Sequence, residues 1–284
     1  VLITALLEQK RKRLNEVRKT RDLIRSQTAA EIKSLLTNEQ KTTYEKIEKK
    51  MKKNIAEKWV MQRQANIMSK DLQKNLTLTF CGGTGSVTGA NFLLESDQSK
   101  IVIDCGLEQG TSVSDEFNHR AFAFKPAEIQ VLLITHAHID HVGRIPKLVK
   151  DGFRGVIYST PETRELAVLM LEDSLKILTQ DAVRRETTPL YNADDVRKSF
   201  TQWKTIPYHV KTRITPDFEV YLKDAGHVLG SVMYEVLYNG KKIVFTGDLG
   251  NTPTPLLKDT EDITDADYLI MESVYGDRNH ESKE

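Results

Sequence analysis

Cysteine is almost missing from this chain: Cys81 and Cys105 are the only two in 284 residues. They sit in different segments without metal-ligand spacing, which excludes a disulfide scaffold and a cysteine-based zinc site. Both read as small buried residues beside glycine turns, and a reducing, cytoplasmic setting fits them. Long apolar runs are also lacking. No stretch approaches the roughly 20 apolar residues that a membrane-spanning helix needs, and no signal-peptide pattern is visible. Net charge is lacking too, at +1. Glycine and proline are absent from residues 1–75, so turns there are few. A glycine-rich run, Gly82 to Gly89, does occur, but no Gly-Lys-Ser/Thr follows it, which argues against a nucleotide P-loop. A tight turn between the first strands is the better reading.

The near-zero charge hides two unlike parts. Residues 1–75 carry 19 Lys and Arg against 9 Asp and Glu, a net of +10, and the remainder nets −9. This shift predicts a boundary near Asn75, with a basic helical extension over 1–75 and a second domain over 76–284. Thr28-Ala29-Ala30-Glu31 and Thr37-Asn38-Glu39-Gln40 are capping-box patterns. Tyr44, Ile47, Met51, Ile55 and Trp59 then recur at helical spacing and form one apolar stripe. A hairpin, or a coiled-coil-like contact with a second copy or another partner, would use it. The basic balance permits contact with RNA phosphates, but a solvated helix face is the simpler reading.

The chemistry concentrates in Thr135-His136-Ala137-His138-Ile139-Asp140-His141. Before it, Val131-Leu132-Leu133-Ile134 reads as a buried strand; after it, Val142 to Val149 reads as a short helix. On extended chain, residues i and i+2 point the same way, so His136 and His138 can grip one ion. Asp140 and His141 follow the turn and face a second position nearby. Imidazole nitrogen and carboxylate oxygen suit Zn²⁺ with an open coordination position.

Elsewhere, alternation and turn signals predict strands at Leu76–Phe80, Asn91–Glu95, Lys100–Asp104, Gly155–Tyr158, Phe218–Leu222, Val232–Leu237, Lys242–Phe245 and Tyr268–Met271. Asn239-Gly240 predicts a type I′ hairpin turn. A long helix is expected from Pro161 to Glu186, with Thr160 as N-cap and Leu166, Leu169, Met170 and Leu175 on one side. A shorter helix is expected over Asp194–Trp203.

The His-x-His-x-Asp-His run resembles the signature of the metallo-β-lactamase superfamily. Gly85 to Glu95, Ile103 to Gly110 and Glu272-Ser273-Val274-Tyr275-Gly276-Asp277-Arg278 resemble its β-CASP branch. Within that branch they are similar to the RNA-processing nucleases related to the endonuclease subunit of the cleavage and polyadenylation factor. The resemblance covers residues 76–284 and implies an α/β fold, an αββα sandwich with its metals where strand-end loops meet.

It also implies a binuclear site with two zinc ions, or manganese. His227, in Asp224-Ala225-Gly226-His227-Val228-Leu229-Gly230-Ser231, matches a third ligand of the first metal, and Asp248 a carboxylate bridging both. The metal set is then His136, His138, Asp140, His141, His227 and Asp248, with Asp140 and Asp248 also catalytic. Asp104 matches an aspartate that hydrogen-bonds the histidine-rich loop, and Glu272 an acid that orients a metal-ligand histidine.

The implied reaction is metal-assisted hydrolysis of a phosphodiester in single-stranded RNA. In this branch an insertion and later histidines follow at about the point where the sequence stops, Glu284. The expectation is therefore an incomplete sandwich, a weakened second metal position and impaired activity. Two other readings stand beside it: a metallo-β-lactamase-fold hydrolase of a small ester, thioester or lactone, and a non-catalytic helical adaptor working through residues 1–75.

Overall fold

The computed structural model describes residues 75–110, 114–251 and 256–276. The helical extension expected over 1–75 lies outside these, apart from Asn75, as do Asp277 and Arg278.

Six strands form the first sheet, in sequence order: β1 (Thr77–Gly82), β2 (Asn91–Glu95), β3 (Lys100–Ile103), β4 (Val131–Leu133), β5 (Val156–Ser159) and β6 (Trp203–Thr205). Pairing is antiparallel up to β3 and parallel from β3 to β6. Parallel neighbours need crossovers, and helices supply them. α1 (Ser114–His119) lies between β3 and β4, α2 (Ile139–Val142) and α3 (Ile145–Lys150) between β4 and β5, and α4 (Pro161–Arg184) and α5 (Ala193–Thr201) between β5 and β6.

The second sheet has five strands: β7 (Thr212–Arg213), β8 (Glu219–Asp224), β9 (Val232–Tyr238), β10 (Lys241–Phe245) and β11 (Tyr268–Ile270), in the order β11-β10-β9-β8-β7. The β9–β10 turn has positive φ at both Asn239 (45°) and Gly240 (75°), as a type I′ turn requires.

Strand periodicity sorts the apolar residues into two cores. In β3 and β4, Ile101, Ile103, Val131 and Leu133 face the second sheet, where they meet Val220, Leu222, Tyr234, Val236 and Phe245. The alternate residues Val102, Leu132 and Ile134 face the helices, with Leu148, Phe153, Leu171 and Trp203. A strand covered on both faces has no polar side to show, which is why Val131–Ile134 is uniformly apolar. Of the four layers expected, the described residues form three: helices, first sheet, second sheet.

Three expectations are corrected. The segment after the histidines is two short helices, because the chain bends at Gly143 and Arg144 and Pro146 opens the second one. In α4 the buried face is made by Thr163, Ala167, Leu171 and Ser174, while Leu169 is 64% exposed. Small residues make up most of that face, while Leu166 and Leu175 of the expected stripe pack half-buried against the same core. Trp203 does not end α5 but opens β6, where its indole Nε1–H donates to Ser159 Oγ at 2.8 Å. Thr160 does cap α4, its side chain accepting from the Thr163 N–H. β6 and β7 were not expected from the sequence, being three and two residues long.

Candidate metal centre

The end of β3 is the first support. Asp104 adopts φ +56°, in the left-handed region that non-glycine residues rarely enter. The carboxylate is buried and turned toward the end of β4. Its Oδ1 accepts from the Thr135 N–H at 2.8 Å, and its Oδ2 accepts from the Thr135 hydroxyl at 2.8 Å. The same Oδ2 lies 2.8 Å from His141 Nδ1. Backbone bonds complete the brace: the Cys105 N–H donates to His141 O and the Leu107 N–H to Ile139 O. Between them Gly106 packs so tightly that an added Cβ would lie 1.5 Å from the Asp140 carbonyl oxygen.

His138 is extended (φ −62°, ψ 148°) and caps α2, which carries Asp140 and His141. The chain therefore turns between the two histidines of the strand end and the Asp-His pair. His136 and His141 are buried; His138 and Asp140 are partly open.

Two loops of the second sheet complete the cluster. The loop after β8 carries His227, and both the His227 and Val228 N–H groups donate to Ser231 Oγ, at 3.1 and 3.2 Å. Gly230 is pinned from the other side, its carbonyl accepting from the Thr160 and Thr163 hydroxyls at 2.8 Å each. The loop after β10 carries Asp248. Its Gly250 N–H donates to Ala225 O, and a Cβ on Gly250 would lie 1.8 Å from Gly226 O. On its other flank Gly247, with φ +55°, abuts the Thr135 side chain. Glu272, after β11, holds this loop through backbone: its carboxylate accepts from the Leu249 N–H at 2.8 Å and the Val274 N–H at 3.4 Å. Those bonds go to peptide groups, and the charge of the carboxylate acts on His227.

Four atoms converge: His136 Nε2, His138 Nδ1, His227 Nε2 and a carboxylate oxygen of Asp248. His138 Nδ1 lies 3.0 Å from His136 Nε2 and 3.2 Å from His227 Nε2. Asp248 Oδ2 lies 3.7 Å from His136 Nε2 and 3.6 Å from His227 Nε2. Ligands about 2.0–2.1 Å from a tetrahedral zinc are separated by about 3.3–3.4 Å, so the donor set fits such an ion. Lone pairs this close repel one another unless a proton or a cation lies between them. The other Asp248 oxygen, Oδ1, lies 3.2 Å from His141 Nε2, which is 3.8 Å from Asp140 Oδ2. Asp248 thus faces the first group with one oxygen and the Asp140–His141 pair with the other.

Electrostatics favours the same use. Burial, reinforced by the neighbouring imidazoles, pushes the His136 pKa well below its ordinary value, and burial also lowers that of His227. Both rings are thus kept neutral with a lone pair to offer. Burial opposes ionisation of Asp248, but His141 and the other histidines outweigh it and hold the carboxyl below its usual range. Burial raises the Asp140 pKa. Burial likewise opposes charge on His141, yet Asp104 and Asp248 prevail and push its pKa up to about 10. In the metal-free protein a proton on His141 therefore supplies the positive charge that these carboxylates demand.

A cleft of about 410 Å³ opens beside the cluster, with His141 and Asp248 in its wall and Phe80, Phe92 and Phe245 along its apolar side. Thr135, Ser231 and Gly250 had no role in the sequence reading. Their partners lie far off in sequence or are peptide groups, and no local pattern marks them.

The profile of the metallo-beta-lactamase superfamily matches residues 85–277. Ribonuclease TTHA0252 of Thermus thermophilus is 35% identical over 199 residues, covering 70% of this chain and 44% of that protein. Transcription termination factor FttA of Thermococcus kodakarensis is 31% identical over 269 residues, covering 90% of this chain and 39% of that one. The chain thus spans less than half the length of these curated relatives. Among solved structures, the metallo-beta-lactamase fold protein YhfI from Bacillus subtilis aligns with a TM-score of 0.39 at 14% identity, over 62% of this chain and 63% of that one.

Proposed function

This chain belongs to the metallo-beta-lactamase superfamily, and from that premise we propose that it carries the metal centre of a β-CASP-type nuclease that hydrolyses phosphodiester bonds in single-stranded RNA. The observation that carries the reading is the convergence of His136, His138, His227 and Asp248 at separations a tetrahedral ion would impose. The similarity to a protein named ribonuclease supports RNA as the substrate class.

In this proposal His136, His138 and His227 would hold one zinc ion and Asp140 and His141 a second, with the Asp248 carboxylate placed to serve either group. Zinc, once bound, lowers the pKa of water towards about 7 and neutralises charge gathering on a phosphate. The chain's own part is positioning. Asp104 holds the His141 ring by its Nδ1 so that Nε2 faces Asp248. Ser231 and the Gly230 anchors set the His227 loop, and Gly250 sets the spacing between that loop and Asp248. The partly open faces of His138, Asp140 and Asp248 are where a phosphate would approach.

None of the described helices is long and apolar enough to cross a membrane. The free thiols Cys81 and Cys105 support a cytoplasmic setting, and the apolar stripe expected from the sequence of residues 1–75 would serve a second copy or another partner. Elemental analysis tests the centre: zinc is expected in the parent, close to two ions per chain where the Asp140–His141 position fills and about one where it does not, and less in His138→Ala. Folded protein without zinc, manganese or iron would overturn the reading. Cleavage of single-stranded RNA, set against small esters, thioesters and lactones under the same conditions, tests the substrate class.

A further inference from the structure

The contacts of Thr135 go beyond supporting a backbone. Its N–H and its hydroxyl both donate to Asp104, one to each carboxylate oxygen, at 2.8 Å. That two-point grip orients the carboxylate so that Oδ2 also meets His141 Nδ1. The hydroxyl has one proton, and Asp104, a buried carboxylate, takes it. The Thr135 oxygen can then only accept, and of its two remaining neighbours His141 Nδ1 at 3.4 Å is nearer to Asp104 Oδ2, at 2.8 Å, which leaves His136 Nδ1 at 3.1 Å as its donor. His136 is wholly buried, so this is where a ring N–H is satisfied away from water. The Thr135 carbonyl is engaged as well, accepting from the Val232 N–H at 2.9 Å, and its side chain lies against Gly247 of the Asp248 loop.

We propose that Thr135 is a positioning residue that extends the reach of Asp104 from one imidazole to two: by donating to Asp104 and accepting from His136 Nδ1–H, its hydroxyl fixes the His136 tautomer whose bare Nε2 faces His138, His227 and Asp248. One buried carboxylate thereby orients a ligand on each side of Asp248, His141 directly and His136 through a hydroxyl relay. This rests on the metal-centre reading for its purpose, but the tautomer itself is a property of the metal-free protein. Serine can replace threonine in this role. Valine cannot, although its shape is nearly the same: it leaves His136 Nδ1–H facing a methyl group and Asp104 short of one donor.

Two readouts test it in parent, Thr135→Val and Thr135→Ser. The first is the His136 tautomer, from long-range ¹H–¹⁵N NMR spectra of metal-stripped protein. The second is zinc affinity, by competition with a chromophoric chelator. The parent and Thr135→Ser should both show His136 protonated at Nδ1 and bind zinc alike. Thr135→Val should lose the Nδ1–H signature and bind zinc about 10–100-fold more weakly, the usual effect of removing a partner behind a ligand. Thr135→Val with parental tautomer and affinity would overturn the proposal. Thr135→Ser decides it if the valine variant does not fold, since a serine variant that has lost the tautomer would show that the hydroxyl is not the agent. If the parent binds no zinc, the metal-centre reading fails by itself, and the tautomer comparison still tests the relay.

Discussion

Gly250→Ala isolates the contact that sets the distance between the two loops of the second sheet. The added methyl carbon would lie 1.8 Å from Gly226 O and 2.8 Å from His227 N. Carbon and oxygen without a bond between them settle at about 3.3–3.6 Å, so the loops must part by about 1.5 Å. Metal–ligand distances tolerate only about 0.2 Å, and His227 and Asp248 sit on the two loops being separated. At least one of them should leave the donor set. The expected loss in zinc affinity is about 100-fold or more, or about 2.7 kcal/mol. The fold should lose about 1–3 kcal/mol by overpacking. The φ of Gly250 is not in the left-handed region, so the perturbation is steric alone. Gly240→Ala is the matched control: φ is +75°, nothing lies within 4 Å of the added carbon, and the turn belongs to a hairpin. It should cost some stability and leave zinc binding unchanged. The assays are chelator competition for zinc and urea unfolding of metal-stripped protein. Gly250→Ala binding zinc as tightly as the parent would refute the argument that this contact spaces the ligands.

Asp104→Asn replaces a charge by a neutral amide of the same shape, and the His141 pKa, about 10 in the metal-free protein, should fall; an NMR titration that finds it unmoved removes Asp104 as its cause. Thr160→Ala deletes both the cap of α4 and the bond to Gly230 O, and should cost about 1–2 kcal/mol in urea unfolding. Burial pushes the Cys105 thiol up to about 12, so thiol reagents should leave it unmodified in native protein at pH 8 and label it after denaturation. The same shift has a stability consequence. The folded pKa lies above the unfolded one of about 8.5, so the unfolded chain releases its proton first and this residue's contribution is lost as pH rises from about 8.5 towards 12.

The parts of the centre that could be read from the sequence are those written locally. His136, His138, Asp140 and His141 lie within six positions, straight after a strand whose burial on both faces shows as an unbroken apolar run. What holds them was not legible, because it depends on residues brought together by folding. Thr135 meets Asp104 across 31 positions, and Gly230 meets Thr160 across 70. Glycines that admit a neighbouring carbonyl, such as Gly106 and Gly250, look in sequence like any turn glycine. The misjudged face of α4 has a related cause. Residue type predicts that every leucine is buried, whereas the helix buries Thr163, Ala167 and Ser174 together with Leu171 and leaves Leu169 in solvent. Glu272 stands at the expected strand end, but its hydrogen bonds run to the peptide groups of Leu249 and Val274.

The donors of the candidate centre come from both sheets: four follow β4 in the first, and His227 and Asp248 follow β8 and β10 in the second. An ion gripped there is a crosslink between layers held otherwise by apolar side chains and a few hydrogen bonds, such as those of the Val232 N–H to Thr135 O and of the Tyr234 hydroxyl to Ile134 O. Hydrophobic contact resists separation but tolerates sliding; coordination bonds resist both. Ion supply would therefore set the stiffness of the whole sandwich as well as its chemistry. Loading should slow amide exchange in β9 and β10 as far as their Asn239-Gly240 turn, the end remote from the ligands, and stripping should let the two sheets shear against each other before either one unravels.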